Sequence, residues 1–323
     1  MTSLEEFYKN KQVTVLGGTG LIGSYMILEL KKLGAHVRAV KFMRPSNEFT
    51  RIADELSAAN LTNLEDAKSA VRGSEIVMNC AGITGGVGLA INDPTSFVGP
   101  NAVLGAQILE ACYREKVARV GHLSSTVVYP PSDKPVSEDD LNFGIEPYPL
   151  YFGIGWMKRF LEKLCQYYYE KVGLKIGIIR PSGAYGRYDN FDEKTSHVLP
   201  GLIARAFRER EQFVVWGNGK DVRDIVHASD VARGLLKAVM IYPYADPINI
   251  ASNRPITTLE LAKMVLNAVG SNATIELDET KPTALPTRMV DITKAKAILG
   301  YAPQITLEDG IKDTVEWYRK QVK

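Results

Sequence analysis

Apolar positions in the first 180 residues come in short unbroken runs separated by stretches with helical spacing. Val13–Leu16, Val37–Val40, Ile76–Asn79, Val120–Ser124 and Ile176–Ile179 read as strands. Between them, Leu21–Leu33, Ala102–Tyr113 and Trp156–Val172 read as helices. Strands that are apolar throughout are covered on both faces, and strands alternating with helices join through right-handed crossovers. The pattern predicts an α/β fold with a doubly wound parallel sheet, the Rossmann arrangement. After Arg180 the rhythm changes. Arg180–Gly186 is rich in turn formers, and Tyr188–Lys194 is polar and loop-like. Thr258–Val269 and Leu307–Gln321 read as helices of a smaller C-terminal lobe. The expected division is 1–180 with roughly 222–250 as the dinucleotide-binding domain, and 181–221 with 251–323 as the substrate-binding lobe.

Composition narrows the class. Of 323 residues, 45% are hydrophobic and 24% charged, with a formal net charge of +2. That balance gives no general attraction to nucleic acid or to a membrane surface. The first ten residues lack an apolar signal region and no apolar run reaches spanning length, so a cytoplasmic protein is expected. Cys80, Cys112 and Cys165 have no metal-like spacing and sit in apolar contexts, which predicts buried free thiols. The four histidines form no ligand pair, and no metal is expected.

Candidate chemistry begins at Gly17-Gly-Thr-Gly20-Leu-Ile-Gly23, which follows a strand and opens a helix. Gly17 permits the tight turn, Gly20 lets the backbone approach a pyrophosphate, and Gly23 lets helix and strand pack closely. The first helical turn, with Leu21 and Ile22, offers N–H donors and a partial positive charge. Where the second strand ends, a dinucleotide site often carries an acid for the ribose hydroxyls. This chain has Lys41, with Arg38 and Arg44 nearby, which favours NADP over NAD. Asn60 is placed to read the adenine amino group, and Leu61 and Ala81 complete the expected cofactor contacts.

Together these residues resemble the extended short-chain dehydrogenase/reductase family, many of whose members act on nucleotide-activated sugars. The resemblance runs nearly end to end. It rests on Gly17–Gly23, Asn79–Gly82, Asn101, Ser124–Tyr129, Lys158, Arg180–Gly186, Arg223–His227 and Asp291–Lys294. Tyr185–Phe191, Ser196–Pro200, Lys163–Cys165 and Arg205 are most similar to the GDP-L-fucose synthase group. The resemblance implies oxidation or reduction at C4 of a GDP-linked hexose or heptose. A nucleotide-sugar epimerase with a retained cofactor and a non-enzymatic cofactor-binding scaffold remain alternatives. It also implies that Ser125 holds the reacting oxygen, Lys158 the nicotinamide ribose, and Arg223 and Arg205 the diphosphate. A homodimer through the helices at 102–113 and 156–172 is expected.

Two departures matter. The group pairs a cysteine with a histidine for proton exchange; His197 matches the histidine, but Val127 stands at the cysteine position. The family also carries its acid/base tyrosine four residues before the lysine, where this chain has Ile154. Thr126 or a water then becomes a candidate proton relay, and His197 or Tyr151 a candidate replacement acid. Tyr151 lies one further turn from Lys158 and reaches the pocket only if the helix begins irregularly.

Overall fold

The computed structural model describes residues 2–93, 95–281 and 285–322. Along the chain run α1 (Leu4–Tyr8), β1 (Gln12–Leu16), α2 (Leu21–Lys32), β2 (His36–Lys41), β3 (Glu55–Ala58), α3 (Leu64–Val71) and β4 (Ile76–Asn79). Next come α4 (Val87–Asn92), α5 (Thr95–Arg114), β5 (Arg119–Leu123), α6 (Phe152–Val172), β6 (Lys175–Pro181) and β7 (Gly183–Tyr185). The remainder holds α7 (Val198–Ala206), β8 (Gln212–Trp216), β9 (Val222–His227), α8 (Ala228–Ile241), β10 (Ile248–Ile250), β11 (Pro255–Thr257) and α9 (Thr258–Val269). It ends with β12 (Thr274–Asp278), β13 (Thr287–Arg288), α10 (Thr293–Leu299) and α11 (Leu307–Gln321).

Seven parallel strands form the main sheet in the order β10-β6-β5-β4-β1-β2-β3. The order reverses between β1 and β4, so the loops after these strands diverge and leave a crevice at their carboxyl ends. α2 and α8 bury Ile27, Leu30, Leu235 and Val239 on one face of the sheet. α3, α5 and α6 bury Ala67, Ile108, Leu109, Cys112 and Cys165 on the other. The doubly wound α/β sheet expected from the apolar runs is present.

A separate core forms the lobe, where α7, α9 and α11 pack Leu202, Ile203, Leu261, Val265, Ile311 and Val315 around Phe213. Within 222–250, α8 and β10 lie on the large sheet. β9 instead centres a second sheet with β7, β11 and β13. α10 packs back on α8.

Several local expectations change. β3 gave no signal in the sequence because it is a sheet edge with mostly exposed side chains. The helix expected at Ala102 begins at Thr95 and contains Pro100 as its sixth residue, where the missing N–H removes the bond to the Ser96 carbonyl. Arg180–Gly186 holds the end of β6 and all of β7 rather than a continuous turn. Cys112 and Cys165 are fully buried free thiols, as expected. Cys80 is half-buried instead, because it leaves β4 at the carboxyl edge of the sheet, beside the glycine turn. No helix among the described residues is long and apolar enough to cross a membrane.

Candidate active site

The glycine turn lies at the reversal point of the sheet. Gly17 has φ +74°, and a Cβ there would lie 2.7 Å from the Ala81 Cα, so both conformation and space require glycine. A Cβ on Gly23 would lie 2.2 Å from the Gly17 carbonyl oxygen. This glycine fits the helix against the turn itself. Gly20 differs: among the described residues its one near contact would be the Gly17 oxygen at 3.3 Å, so its open side faces the crevice. Gly20 is also the N-cap of α2 and has no side chain to satisfy the first N–H groups, which leaves the donors of Leu21, Ile22 and Gly23 for a phosphate. Ala81 closes the other side of the turn, and the Asn79 Oδ1 accepts its N–H at 3.2 Å. These features fit the pyrophosphate of a dinucleotide.

At the adenosine edge, Lys41 ends β2 and is half-buried, while Arg44 is exposed and donates to the Tyr188 carbonyl at 3.5 Å. Asp189 follows in that loop; burial pushes its carboxyl up to about 7, and Arg44 works the other way. Arg38, expected near the same edge, points elsewhere. Its guanidinium is committed to Glu55 at 2.6 Å and to the Arg72 carbonyl at 2.8 Å. Asn60 is exposed, with its Oδ1 accepting from Thr62, and Leu61 is buried beneath it. Replacing Lys41 and Arg44 by alanine should weaken NADP at least about tenfold more than NAD, because one charge-assisted phosphate contact is worth about 1.5–3 kcal/mol. Equal losses in a calorimetric titration would remove the 2′-phosphate assignment.

β5 ends at Leu123 and passes through Ser124 and Ser125 into a 3₁₀ turn at Thr126–Val128. Ser125 Oγ accepts the Val127 N–H at 3.3 Å and caps this turn; among the described residues its own O–H has no acceptor. Gly155 brings α6 against the turn, since a Cβ there would meet the Val127 oxygen at 2.8 Å. Lys158 Nζ donates to the Leu123 carbonyl at 2.9 Å. Burial pulls its ammonium down to about 8, with the Glu162 carboxylate working the other way.

Beneath the turn runs a buried polar network. Arg180 donates to both oxygens of Glu162 at 2.9 and 2.7 Å and to the Tyr129 hydroxyl at 2.8 Å. Tyr129 in turn donates to Asn249 Oδ1 at 2.7 Å, and Ser124 bonds Glu162. Burial opposes the Arg180 charge, but Glu162 more than offsets it and holds the guanidinium above its usual range.

Beside Thr126 opens a cleft walled by Thr126, Val127, Tyr148, Tyr151, Thr287 and Arg288. Tyr151 enters it because the chain before α6 is a 3₁₀ turn, Pro149–Tyr151, closed by the Tyr151 N–H bonding the Tyr148 carbonyl at 2.7 Å. Ile154, half-buried on the next turn, does not line the cleft. His197 stands at the start of α7, its ring turned inward against the Gly85 backbone and facing Arg288 although part of the residue meets solvent. A strap from Ile83 to Gly88 crosses here. Asn101 grips Ile83 at both its N–H and its carbonyl, at 2.9 and 2.8 Å. Gly86 donates to the Thr195 carbonyl at 2.8 Å.

Of the two expected phosphate anchors, Arg223 is held by Asp221 at 3.0 Å and by the Val222 carbonyl at 2.8 Å. Arg205 bonds the Val214 carbonyl and stacks over Phe213 and Trp216 at 5.3 and 5.9 Å. Arg288 was not singled out in the sequence. It lies on β13 in parallel register with Arg223 on β9. That pairing joins residues 65 positions apart, and no local pattern reveals it.

The crevice at the reversal point and the glycine-cradled helix N-terminus that opens into it are the marks of a dinucleotide-binding enzyme. The chain belongs to the NAD dependent epimerase/dehydratase family, whose profile matches residues 13–251. It is 28% identical to GDP-L-fucose synthase 1 of Arabidopsis thaliana over 97% of this chain and 95% of that protein. It is 26% identical to the dTDP-4-dehydro-6-deoxy-D-allose reductase of Streptomyces bikiniensis over 98% of both chains. The fold superimposes on the UDP-glucose 4-epimerase of Thermotoga maritima, solved with UDP-glucose, with a TM-score of 0.85 at 24% identity. That match covers 96% of this chain and 99% of the other.

Proposed function

We propose that this protein reduces or oxidises C4 of a GDP-linked hexose or heptose, with NADP as the favoured cofactor. One observation carries the reading: an oxygen-handling turn at Ser125–Thr126 lies next to a cleft whose far wall bears Arg288, in register with Arg223. Like charges on neighbouring strands cost stability, and an anionic ligand such as a sugar diphosphate removes that cost. When bound, the nicotinamide supplies or accepts the hydride. Ser125 donates its O–H to the carbonyl oxygen and orients it. Lys158, one turn of α6 beyond Ile154, holds the nicotinamide ribose and places positive charge near the oxygen. Arg223 and Arg205 take the diphosphate once Arg223 leaves Asp221. The outward faces of α5 and α6 expose Val103, Tyr113, Phe160 and Tyr167, which fits a homodimer through these helices in the cytoplasm.

The experiment mixes the protein with reduced NADP and a GDP-4-keto-6-deoxyhexose and follows loss of the reduced-nicotinamide absorbance. Oxidation of the cofactor is expected, and Arg223→Ala should weaken nucleotide-sugar affinity by roughly 10–150-fold. A preference for dTDP- or UDP-sugars would overturn the GDP assignment. Sugar inversion without net cofactor consumption would make the protein an epimerase, and binding without turnover on any sugar would make it a scaffold.

A further inference from the structure

We infer that Arg288 is the positioning residue that holds Tyr151 as the proton donor of this site, in place of the phenol that position 154 lacks. The inference rests on the oxidoreductase reading above.

Tyr151 closes the 3₁₀ turn and caps α6, the helix that carries Lys158 seven residues further on. The chain departs from helical geometry at Tyr151, with φ −107° and ψ 12°, and this departure turns the ring into the cleft beside Thr126. Opposite it, the Arg288 guanidinium lies 4.7 Å from the centroid of the Tyr151 ring. Arg288 is a costly residue to place there. Burial pulls its guanidinium below the usual range, the neighbouring Arg223 adds to this, and the Tyr151 phenol works against it. An isolated structural arginine gains little from a site shared with another arginine. A diphosphate on Arg223 offsets the paired charge once substrate binds, and the Tyr151 ring is the partner Arg288 has on its own side: Arg288 pins the ring and stabilises the oxyanion that forms.

In the reductive direction the step balances as follows. A bound reduced nicotinamide would supply the hydride for the carbonyl carbon, giving up its own C–H bond. The carbonyl oxygen takes the Tyr151 proton, breaking the phenol O–H bond and forming the alcohol. The tyrosinate left beside Arg288 regains a proton from water through the mouth of the cleft. Oxidation runs the same transfers in reverse.

The test has two arms. A fluorine label on the Tyr151 ring reports the contact in the protein without substrate. Arg288→Gln should move its resonance and Arg288→Lys should move it less; an unmoved resonance overturns the inference. In single-turnover hydride transfer, Tyr151→Phe should lose about 10²–10⁴ in rate and the solvent deuterium isotope effect. Its affinity for cofactor, measured by calorimetry, should be unchanged. Arg288→Gln should lower kcat by about tenfold or more with a smaller change in KM, and keep an isotope effect because the phenol remains the donor. Arg288→Lys should recover part of that loss. Wild-type rate in Tyr151→Phe overturns the inference alone. If turnover occurs only with a dTDP- or UDP-sugar, the GDP reading fails and the same variants are scored on that sugar. If no nucleotide sugar is turned over by the parent protein, the oxidoreductase reading fails and takes this inference with it.

Discussion

Glu162→Gln should destabilise the protein by about 3–5 kcal/mol, the cost of leaving one partner of a buried ion pair without its counter-charge. Both side chains are almost wholly buried, at 6% and 4% exposure. The amide of glutamine keeps the shape, yet it neutralises the group that receives two Arg180 N–H bonds and the Ser124 hydroxyl. The damage should not stay local. Arg180 also fixes Tyr129, and Tyr129 fixes Asn249, whose Nδ2 donates to the carbonyls of Val136 and Asp291 at 3.1 and 3.2 Å. Through this chain one carboxylate ties the Ser124–Val128 turn to α6, β6, β10 and the segment leading into α10. Urea unfolding reads the effect directly, and the double variant Glu162→Leu, Arg180→Met should recover part of the loss by removing both charges. A loss below about 1 kcal/mol for Glu162→Gln would show that water reaches the pair.

The same network explains what could be read from the sequence and what could not. β1, β4, β5 and β6 were legible because each is buried on both faces, so the apolar run is continuous and needs no tertiary context. β3 was not, because an edge strand carries no such run. The glycine turn was legible since backbone conformation and close approach restrict the residue type itself. Side-chain partners are a different matter. Arg38 lies within three residues of Lys41 in the chain, but its direction was decided by Glu55 on the adjacent strand. Arg288 and Arg223 became neighbours only through the pairing of β13 with β9.

Tyr151 falls between these cases. Its seven-residue spacing from Lys158 was visible in the sequence, and so was the condition that the helix must begin irregularly. Pro149 at the start of the 3₁₀ turn is the local cause of that irregularity, since a proline suits the first position of a helical turn and cannot continue one behind it. The isoleucine at 154 therefore marks a vacant position in the family pattern without proving that the cleft lacks a phenol. The Val127 carbonyl lies where α6 approaches through Gly155.

Gly20→Val should abolish dinucleotide binding while leaving the protein folded, and the contrast with its two neighbours is what makes the result informative. At Gly17 a side chain would have to adopt φ +74° and overlap the Ala81 backbone. At Gly23 it would collide with the Gly17 carbonyl at 2.2 Å. Substitution at either position disturbs the turn itself, so lost binding there would report folding as much as recognition. Gly20 has extended backbone, φ −80° and ψ 173°, which valine adopts readily. Its one close contact, the Gly17 oxygen at 3.3 Å, requires an adjustment of only a few tenths of an ångström. A valine side chain would nevertheless stand over the first N–H groups of α2, where the pyrophosphate must come within about 3 Å to be hydrogen-bonded. Exclusion from that surface forfeits several charge-assisted bonds of about 1.5–3 kcal/mol each, enough to carry a micromolar affinity beyond millimolar. Calorimetry should then detect no binding of NADP or NAD, with a thermal midpoint within a few degrees of the parent. Unchanged affinity would mean that the dinucleotide lies elsewhere; lost affinity with a collapsed midpoint would mean that Gly20, like its neighbours, holds the turn.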